Sequence, residues 1–114
     1  MRKILLIIVL CCGWPVIASA EATGNDLLQY CDHPNGGEEL CVGYISGALD
    51  AFMEFNDMAP ADSRLFCVPP EATGKQIVVM TKKFLKDNPE RLHHIASTII
   101  LGMMTAKFPC QNSK

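Results

Sequence analysis

The chain lacks basic residues over a long stretch. From Glu21 through Asp62 there are nine acidic residues and no lysine or arginine, whereas residues 63–114 carry eight basic and three acidic residues. Either the two halves attract each other within the fold, or the acidic half faces a basic partner, because complementary fields steer and orient an encounter. An acidic surface is a poor match for phosphate backbones, so we expect no binding to nucleic acid.

The sequence also lacks the motifs that carry catalysis or hold metals. No G-x-S-x-G, H-E-x-x-H or phosphate-binding loop occurs in it. His93 and His94 are adjacent, so on a helix they point about 100° apart, and the residue four positions after His94 is Thr98. We therefore predict no enzymatic activity, no cofactor and no metal, with these histidines on the surface and Met103 and Met104 in the core.

No apolar run is long enough to span a bilayer, which takes about 20 residues. The apolar residues 4–12 follow Met1-Arg2-Lys3 and precede Ala18-Ser19-Ala20. A basic start, an apolar middle and small residues at the end are typical of a secretory signal peptide. We predict that residues 1–20 are such a signal, cleaved near Ala20, and that residues 21–114 form one exported domain with no membrane segment.

The predicted mature domain contains four cysteines and no C-x-x-C pair. The cysteines are Cys31, Cys41, Cys67 and Cys110. Their spacings of 10, 26 and 43 residues match no common zinc or haem site, and an even count in a short exported chain indicates disulfides. Three pairings are possible. We favour Cys31 with Cys41, across a proline- and glycine-rich turn, and Cys67 with Cys110, around the last two helices.

Helical periodicity predicts an all-α domain, a small disulfide-stapled bundle of four to five helices. We expect helices over about 25–31 and 38–56, a third that begins at a Thr73–Gln76 capping box, and a fourth capped by Asn88 with Pro89 at its first position. The second helix has a broad apolar circumference and should be mostly buried. The residues expected to face the core are Leu40, Tyr44, Ala48, Phe52, Phe55, Ile77, Met80, Thr81, Phe84, Leu92, Ile95, Ala96, Ile99, Met103 and Ala106.

Small residues recur every four positions along the second helix, at Gly43, Gly47 and Ala51. They make a flat strip that lets another backbone approach closely, although each glycine destabilises the helix by up to about 1 kcal/mol relative to alanine. We expect the strip to pack within the domain. The alternative is that it lies across a dimer axis.

Several local patterns resemble one known family. They are C-x-G-Y-x-x-G from Cys41 to Gly47, F-C-x-P at residues 66–69, N-P-E-x-L at residues 88–92 and F-P-C at residues 108–110. In these, and over residues 25–110 as a whole, the chain resembles the Rap/Tai family of periplasmic immunity proteins of bacterial type VI secretion. The resemblance implies a small helical, often dimeric protein that binds a peptidoglycan-cleaving amidase and occludes its active-site cleft.

The surface that would contact the amidase is a hypothesis from the residues, because none of the patterns above is a contact motif. Loops on a rigid scaffold commonly carry binding function. We expect the loop from Asn56 to Arg64 to form an exposed plug beside the polar ridge of the second helix. The candidate contact residues are Asp50, Glu54, Asn56, Asp57, Asp62 and Arg64.

Two other functions fit a small exported helical protein. One is an acid-stress chaperone of the HdeA type, which exposes apolar surface when its carboxylates become protonated. The other is a binding module of the same fold that has no toxin as its partner. An immunity protein should bind one partner tightly at neutral pH without unfolding, so the behaviour at low pH separates it from the chaperone.

Overall fold

The computed structural model describes residues 21–111. They form four α-helices, which we name α1 (Gly24–Asp32), α2 (Gly37–Met58), α3 (Gly74–Asp87) and α4 (Ala96–Lys107). Short 3₁₀ turns lie at Ala61–Ser63 and Pro89–Arg91. No strand occurs in this part of the chain, which confirms the all-α prediction. The predicted signal peptide, residues 1–20, lies outside the described residues.

Both predicted disulfides form. The sulfur atoms of Cys31 and Cys41 are 2.04 Å apart, and those of Cys67 and Cys110 are 2.01 Å apart. The first bond joins α1 to α2 across a tight turn, in which Gly36 has a φ of 97°. The left-handed backbone at Gly36 suits glycine because a Cβ atom there would be strained. In the chain-entropy model the two loops, of 10 and 43 residues, stabilise the fold by about 2.7 and 4 kcal/mol.

Two helices begin at capping boxes. The Thr73 N–H donates to Gln76 Oε1 at 2.8 Å, and the Gln76 N–H donates to the Thr73 hydroxyl at 3.2 Å. This confirms the predicted start of α3. Thr23 and Asp26 make the same reciprocal pair at α1. Each box satisfies donors that a helix start would otherwise leave free.

The predicted start of the fourth helix is wrong. Asn88 does not cap a helix; its Nδ2 donates to the Phe84 carbonyl, and residues 89–91 form only a 3₁₀ turn. The chain becomes α-helical at Ala96, after a segment whose carbonyls accept hydrogen bonds from the start of α1. The Gly24 N–H donates to the His94 carbonyl at 2.9 Å and the Asn25 N–H donates to the Leu92 carbonyl at 2.9 Å. Residues 92–94 thus satisfy the first turn of α1 instead of continuing a helix of their own.

The core lies between the four helices, and α4 supplies much of it. The predicted inner residues Ile77, Thr81, Leu92, Ala96, Ile99 and Met103 are buried, as expected. Met80 and Phe84 are only half-buried, because Val78 and Leu85 take the innermost positions of α3. Ile95 and Ala106 are exposed, contrary to prediction. Ile100 and Met104 pack inward beside Met103 on α4.

The predicted inner side of α2 is right for Tyr44, Ala48 and Phe52, which pack against the core, and wrong for Leu40 and Phe55. Leu40 and Phe55 are 61% and 69% exposed, and the helix is mostly open to solvent. Its core face instead carries Cys41, Ile45 and Leu49, with Tyr44, Ala48 and Phe52 half-buried at the edges. Apolar residues surround most of this helix, so periodicity alone does not select the inner side. The Cys31–Cys41 disulfide selects the inner side, because it requires the side of α2 that carries Cys41 to face inward.

The small-residue strip does not pack within the domain, which corrects the expectation for Gly43, Gly47 and Ala51. All three are exposed, and a Cβ atom built at either glycine would meet no other atom within 4 Å. The strip therefore lies on the side of α2 away from the core. The other interpretation, that the strip lies across a dimer axis, stays a prediction.

We predict that Gly47→Ala raises the free energy of unfolding of the protein by up to about 1 kcal/mol, because alanine restricts the unfolded chain and favours helix. The measurement is urea unfolding at high dilution, which favours the monomer. Gly24→Ala is the control and should destabilise, since its Cβ would lie 2.5 Å from Ile99 Cδ1 and 2.9 Å from Leu92 Cα. A loss of stability in Gly47→Ala at high dilution would mean that the strip is packed within one chain.

Candidate partner-binding surface

The chain after α2 is anchored by a buried carboxamide. Asn56 is 6% exposed, and its Oδ1 accepts from the N–H groups of Leu65 at 2.8 Å and Phe66 at 3.4 Å. Its Nδ2 donates to the Phe66 carbonyl at 2.9 Å. This corrects the prediction that Asn56 contacts a partner, because its polar atoms already hold the returning chain.

A second anchor follows immediately. The Phe66 side chain is buried in the core, and Cys67 is bonded to Cys110. The Cys67 N–H also donates to the Phe108 carbonyl at 2.8 Å. The segment 57–65, which we call the arch, is therefore fixed at both ends: by α2 on one side and by the core and a disulfide on the other.

An acidic ridge leads along α2 to the arch. The ridge consists of Asp50, Glu54 and Asp57, which are all exposed and occupy positions i, i+4 and i+7 on one side of the helix. Asp62 and Arg64 are exposed in the arch itself. Five of the six predicted contact residues thus lie at the surface around the same end of α2, and Asn56 does not.

The charges of the ridge are not explained by the fold. None of the three carboxylates forms an ion pair with another residue of the range 21–111. Glu54 and Asp57 lie near the carboxyl end of α2, where the helix dipole is negative and the last turn contains no basic residue. A carboxylate in that place destabilises a helix by about 0.3 to 1 kcal/mol. A local cost without a structural gain is typical of functional residues.

Most of the basic residues of α3, by contrast, are paired. Lys82 Nζ lies 2.9 Å from Glu38 Oε1, Lys86 Nζ lies 2.8 Å from Asp32 Oδ1, and Lys83 is paired with Asp87 within α3. Two of these pairs join the acidic half of the chain to the basic half. Ion pairs therefore join the two halves of the chain, but these pairs do not involve the carboxylates of the ridge.

Exposed apolar side chains accompany the ridge. Met58 is 77% exposed at the end of α2, and Phe55, Leu65 and Met53 are also exposed. Apolar groups ringed by charge at the end of a rigid element are typical of protein-binding surfaces. We call this region, with the ridge and the arch, the acidic end of α2.

The other candidate sites offer less. His93 and His94 are exposed, with ring centroids 4.0 Å apart, and the methionines on α4 are in the core. No group of three or more possible metal ligands occurs within the described range. None of the helices formed by residues 21–111 has both the length and the hydrophobicity to cross a membrane.

The model of the Rap1a immunity protein family matches residues 23–110. The match covers all four helices and both disulfides, and the chain belongs to this family. Its role is therefore toxin immunity, and binding to a cognate toxin is what membership implies. No curated protein and no solved structure matches the chain.

We predict that Asn56→Ala lowers the free energy of unfolding by about 1 to 3 kcal/mol. The substitution removes the side chain to which the Leu65 N–H and the Phe66 carbonyl are hydrogen-bonded, and leaves these backbone groups without a partner. Urea unfolding of the oxidised protein measures the change. Asn25→Ala, an exposed position in α1, is the control and should be nearly neutral. Equal stabilities for the two variants would contradict the anchoring role of Asn56.

Proposed function

We propose that the chain protects a bacterial cell by binding an incoming amidase toxin of type VI secretion in the periplasm and occluding its peptidoglycan-cleaving site. In this proposal residues 1–20 direct export and are removed near Ala20. The protein acts by its shape and charge and not by catalysis. The family supports a toxin as partner, and the two disulfides support a protein that works in an oxidising compartment.

The observation that carries the proposal is the unpaired charge at the acidic end of α2. We propose Asp50, Glu54, Asp57, Asp62 and Arg64 as the contact residues. Like-charged carboxylates beside exposed Phe55 and Met58 match a partner whose apolar cleft is rimmed by basic residues. Because the arch is fixed before binding, little conformational entropy is lost when it enters a cleft.

We predict that Glu54→Lys combined with Asp57→Lys abolishes protection while leaving the protein more stable. Reversal of the charges opposes a basic partner, but it also places a cation at residue 57, in the last turn of α2, where it is worth about 0.3 to 1 kcal/mol. Protection is measured as survival of cells that export an amidase effector encoded in the same genome, and stability as urea unfolding.

The matched control carries the same charge change elsewhere on the surface, as Glu71→Lys combined with Glu90→Lys. It should protect as well as the unmodified protein. Full protection by the Glu54 and Asp57 variant would exclude the acidic end of α2 as the contact surface. Loss of protection in both variants would mean that net charge, and not this surface, matters.

We further propose that two copies associate through the strip of Gly43, Gly47 and Ala51. The strip is exposed along α2, with Leu40 at its amino-terminal end. Small residues on an exposed helix face permit two backbones to approach closely. Asp50 lies beside Ala51 within the span of the strip, whereas Glu54, Asp57 and the arch lie beyond its carboxyl-terminal end and would remain available to a toxin.

The acid-stress chaperone is a weaker candidate. Within residues 21–111 the buried polar side chains are Asn56 and Thr81, neither of which titrates. Hydrogen bonds from the Thr23 backbone and hydroxyl lower the pKa of Asp26, and the hydrogen bond and charge of Lys82 lower the pKa of Glu38. Asp26 is half-buried, Glu38 is exposed and neither lies in the core, so their protonation removes only interactions near the surface.

We predict that the oxidised protein stays folded in acid. A carboxylate with a lowered pKa in the fold adds stability above its unfolded pKa, about 3.9 for Asp and 4.3 for Glu, and that stability is lost as the pH falls through the folded pKa. Asp26 and Glu38 should therefore cause only a slight decline below about pH 4. Circular dichroism and binding of an apolar dye measure the outcome. Dye binding with suppression of aggregation at low pH would favour the chaperone.

A further inference from the structure

The two disulfides differ in how deeply they are buried. Cys41 is fully buried in the core, and Cys31 packs against that core. Cys67, by contrast, is exposed and Cys110 is half-buried, and neither belongs to the core. Exposed disulfides are the ones that thiols open most readily. We propose that the Cys67–Cys110 disulfide is a redox-sensitive latch on the arch, which a dithiol opens while Cys31–Cys41 stays closed and the helices stay folded.

Access from solvent distinguishes the latch from the other disulfide. An attacking thiolate must reach one of the two sulfur atoms, so the rate of reduction depends on exposure. Cys67 lines a cavity of about 190 Å³ beside the arch, together with the exposed residues Asp57 and Arg64. Cys41 is 0% exposed, so a thiolate reaches that bond only at the half-buried Cys31 or after the helices separate locally.

The reaction that opens the latch is a thiol–disulfide exchange with a protein or small-molecule dithiol. A thiolate of the dithiol attacks the Cys67 sulfur, which forms a mixed disulfide and releases Cys110 as a thiolate that takes up a proton. The second thiol of the dithiol loses its proton, attacks the mixed disulfide and releases Cys67, which is protonated in turn. Two electrons and two protons thus pass to the protein, and the dithiol becomes a disulfide.

Opening the latch releases the chain on both sides of the bond. Residues 109–111 make no backbone hydrogen bond within the described part of the chain, so the disulfide is what ties them to the fold. The arch loses the covalent anchor at its carboxyl end. It keeps the buried Phe66, the hydrogen bonds of Asn56 and the Cys67 N–H bond to the Phe108 carbonyl. With fewer anchors, the arch should open more often.

The same contacts make the latch reversible. The Cys67 N–H bond to Phe108 holds the two chain segments together two residues before Cys110, so the separated thiols remain neighbours. The buried cysteine of the other pair is not available for exchange while the helices are packed. Reoxidation should therefore restore the original pair. An oxidising compartment keeps the latch closed until a dithiol is supplied.

The consequence for toxin binding rests on the proposed function. A rigid arch loses little conformational entropy when it enters a cleft, whereas an arch with an open latch must be ordered at that moment. Reduction should therefore weaken binding without removing any contact residue. The test of the latch uses no toxin, so its failure would leave the role of the acidic ridge standing, since that is tested by protection.

The test follows reduction of the oxidised, unmodified protein by dithiothreitol. Samples are quenched and alkylated at intervals, and peptide mapping gives the label at each cysteine. We expect Cys67 and Cys110 to gain label at least about tenfold faster than Cys31 and Cys41, because only the second pair requires local opening. The control is the same reaction in concentrated urea, where the fold shields neither bond and most of the difference should disappear.

A second measurement follows the consequence for the arch. Cys67→Ser combined with Cys110→Ser should keep the helical circular dichroism of the oxidised protein, while the Leu65 amide exchanges faster relative to those of α1. Removal of dithiothreitol from the reduced protein should restore the Cys67–Cys110 pair. The proposal would be overturned by equal labelling rates, by earlier reduction of the other disulfide, by loss of the helices in the double variant, or by unchanged exchange at Leu65.

Discussion

The structure around the proposed binding surface depends on one buried carboxamide. The Asn56 Oδ1 accepts from the N–H groups of Leu65 and Phe66, and its Nδ2 donates to the Phe66 carbonyl, so it holds the two residues that bring the backbone back to the core. A polar group buried in this way stabilises only if every partner is present. The return of the chain is therefore specified within a narrow range of geometry, and the Cys67–Cys110 bond holds it there.

This anchoring lets the protein carry charges that its helix does not favour. Glu54 and Asp57 oppose the dipole of α2, yet the helix is retained because its core face and its disulfide to α1 hold it independently of its end. The acidic end of α2 can then be exposed, charged and partly apolar at once. An immunity protein that works by occlusion needs such a surface to be rigid before the toxin arrives, because ordering it on binding would reduce affinity.

Local chemistry made much of the fold predictable. The Thr73–Gln76 capping box and the cysteine pairings depend on residues close in sequence or on helix ends that periodicity locates. The orientation of α2 was not predictable from periodicity, because apolar residues lie on most of its sides. The start of α4 was missed because His94 and Leu92 give their carbonyls to α1, about 70 residues earlier in the chain, a pairing that leaves no local signal.

The candidate surface was predicted only in part, again because hydrogen bonds to residues further along the chain leave no local signal. The sequence itself shows the acidic residues before the arch. The burial of Asn56, by contrast, follows from hydrogen bonds to residues nine and ten positions away. An asparagine just before a helix end, followed about ten residues later by an apolar residue and a cysteine, is the signal that could have indicated it. The exposure of Gly43 and Gly47 follows from the orientation of α2, whose buried side carries Cys41, Ile45 and Leu49, and periodicity within α2 does not select that orientation.

The most direct measurement of the central claim is native-state hydrogen exchange at the Leu65, Phe66 and Cys67 amides in the free, oxidised protein. A fixed arch predicts that these three amides exchange about as slowly as the core amides of α4, and that Cys67→Ser with Cys110→Ser accelerates them more than those of α1. Rapid exchange at these positions in the oxidised protein would show that the acidic end of α2 is not formed before a partner binds, and would contradict the account.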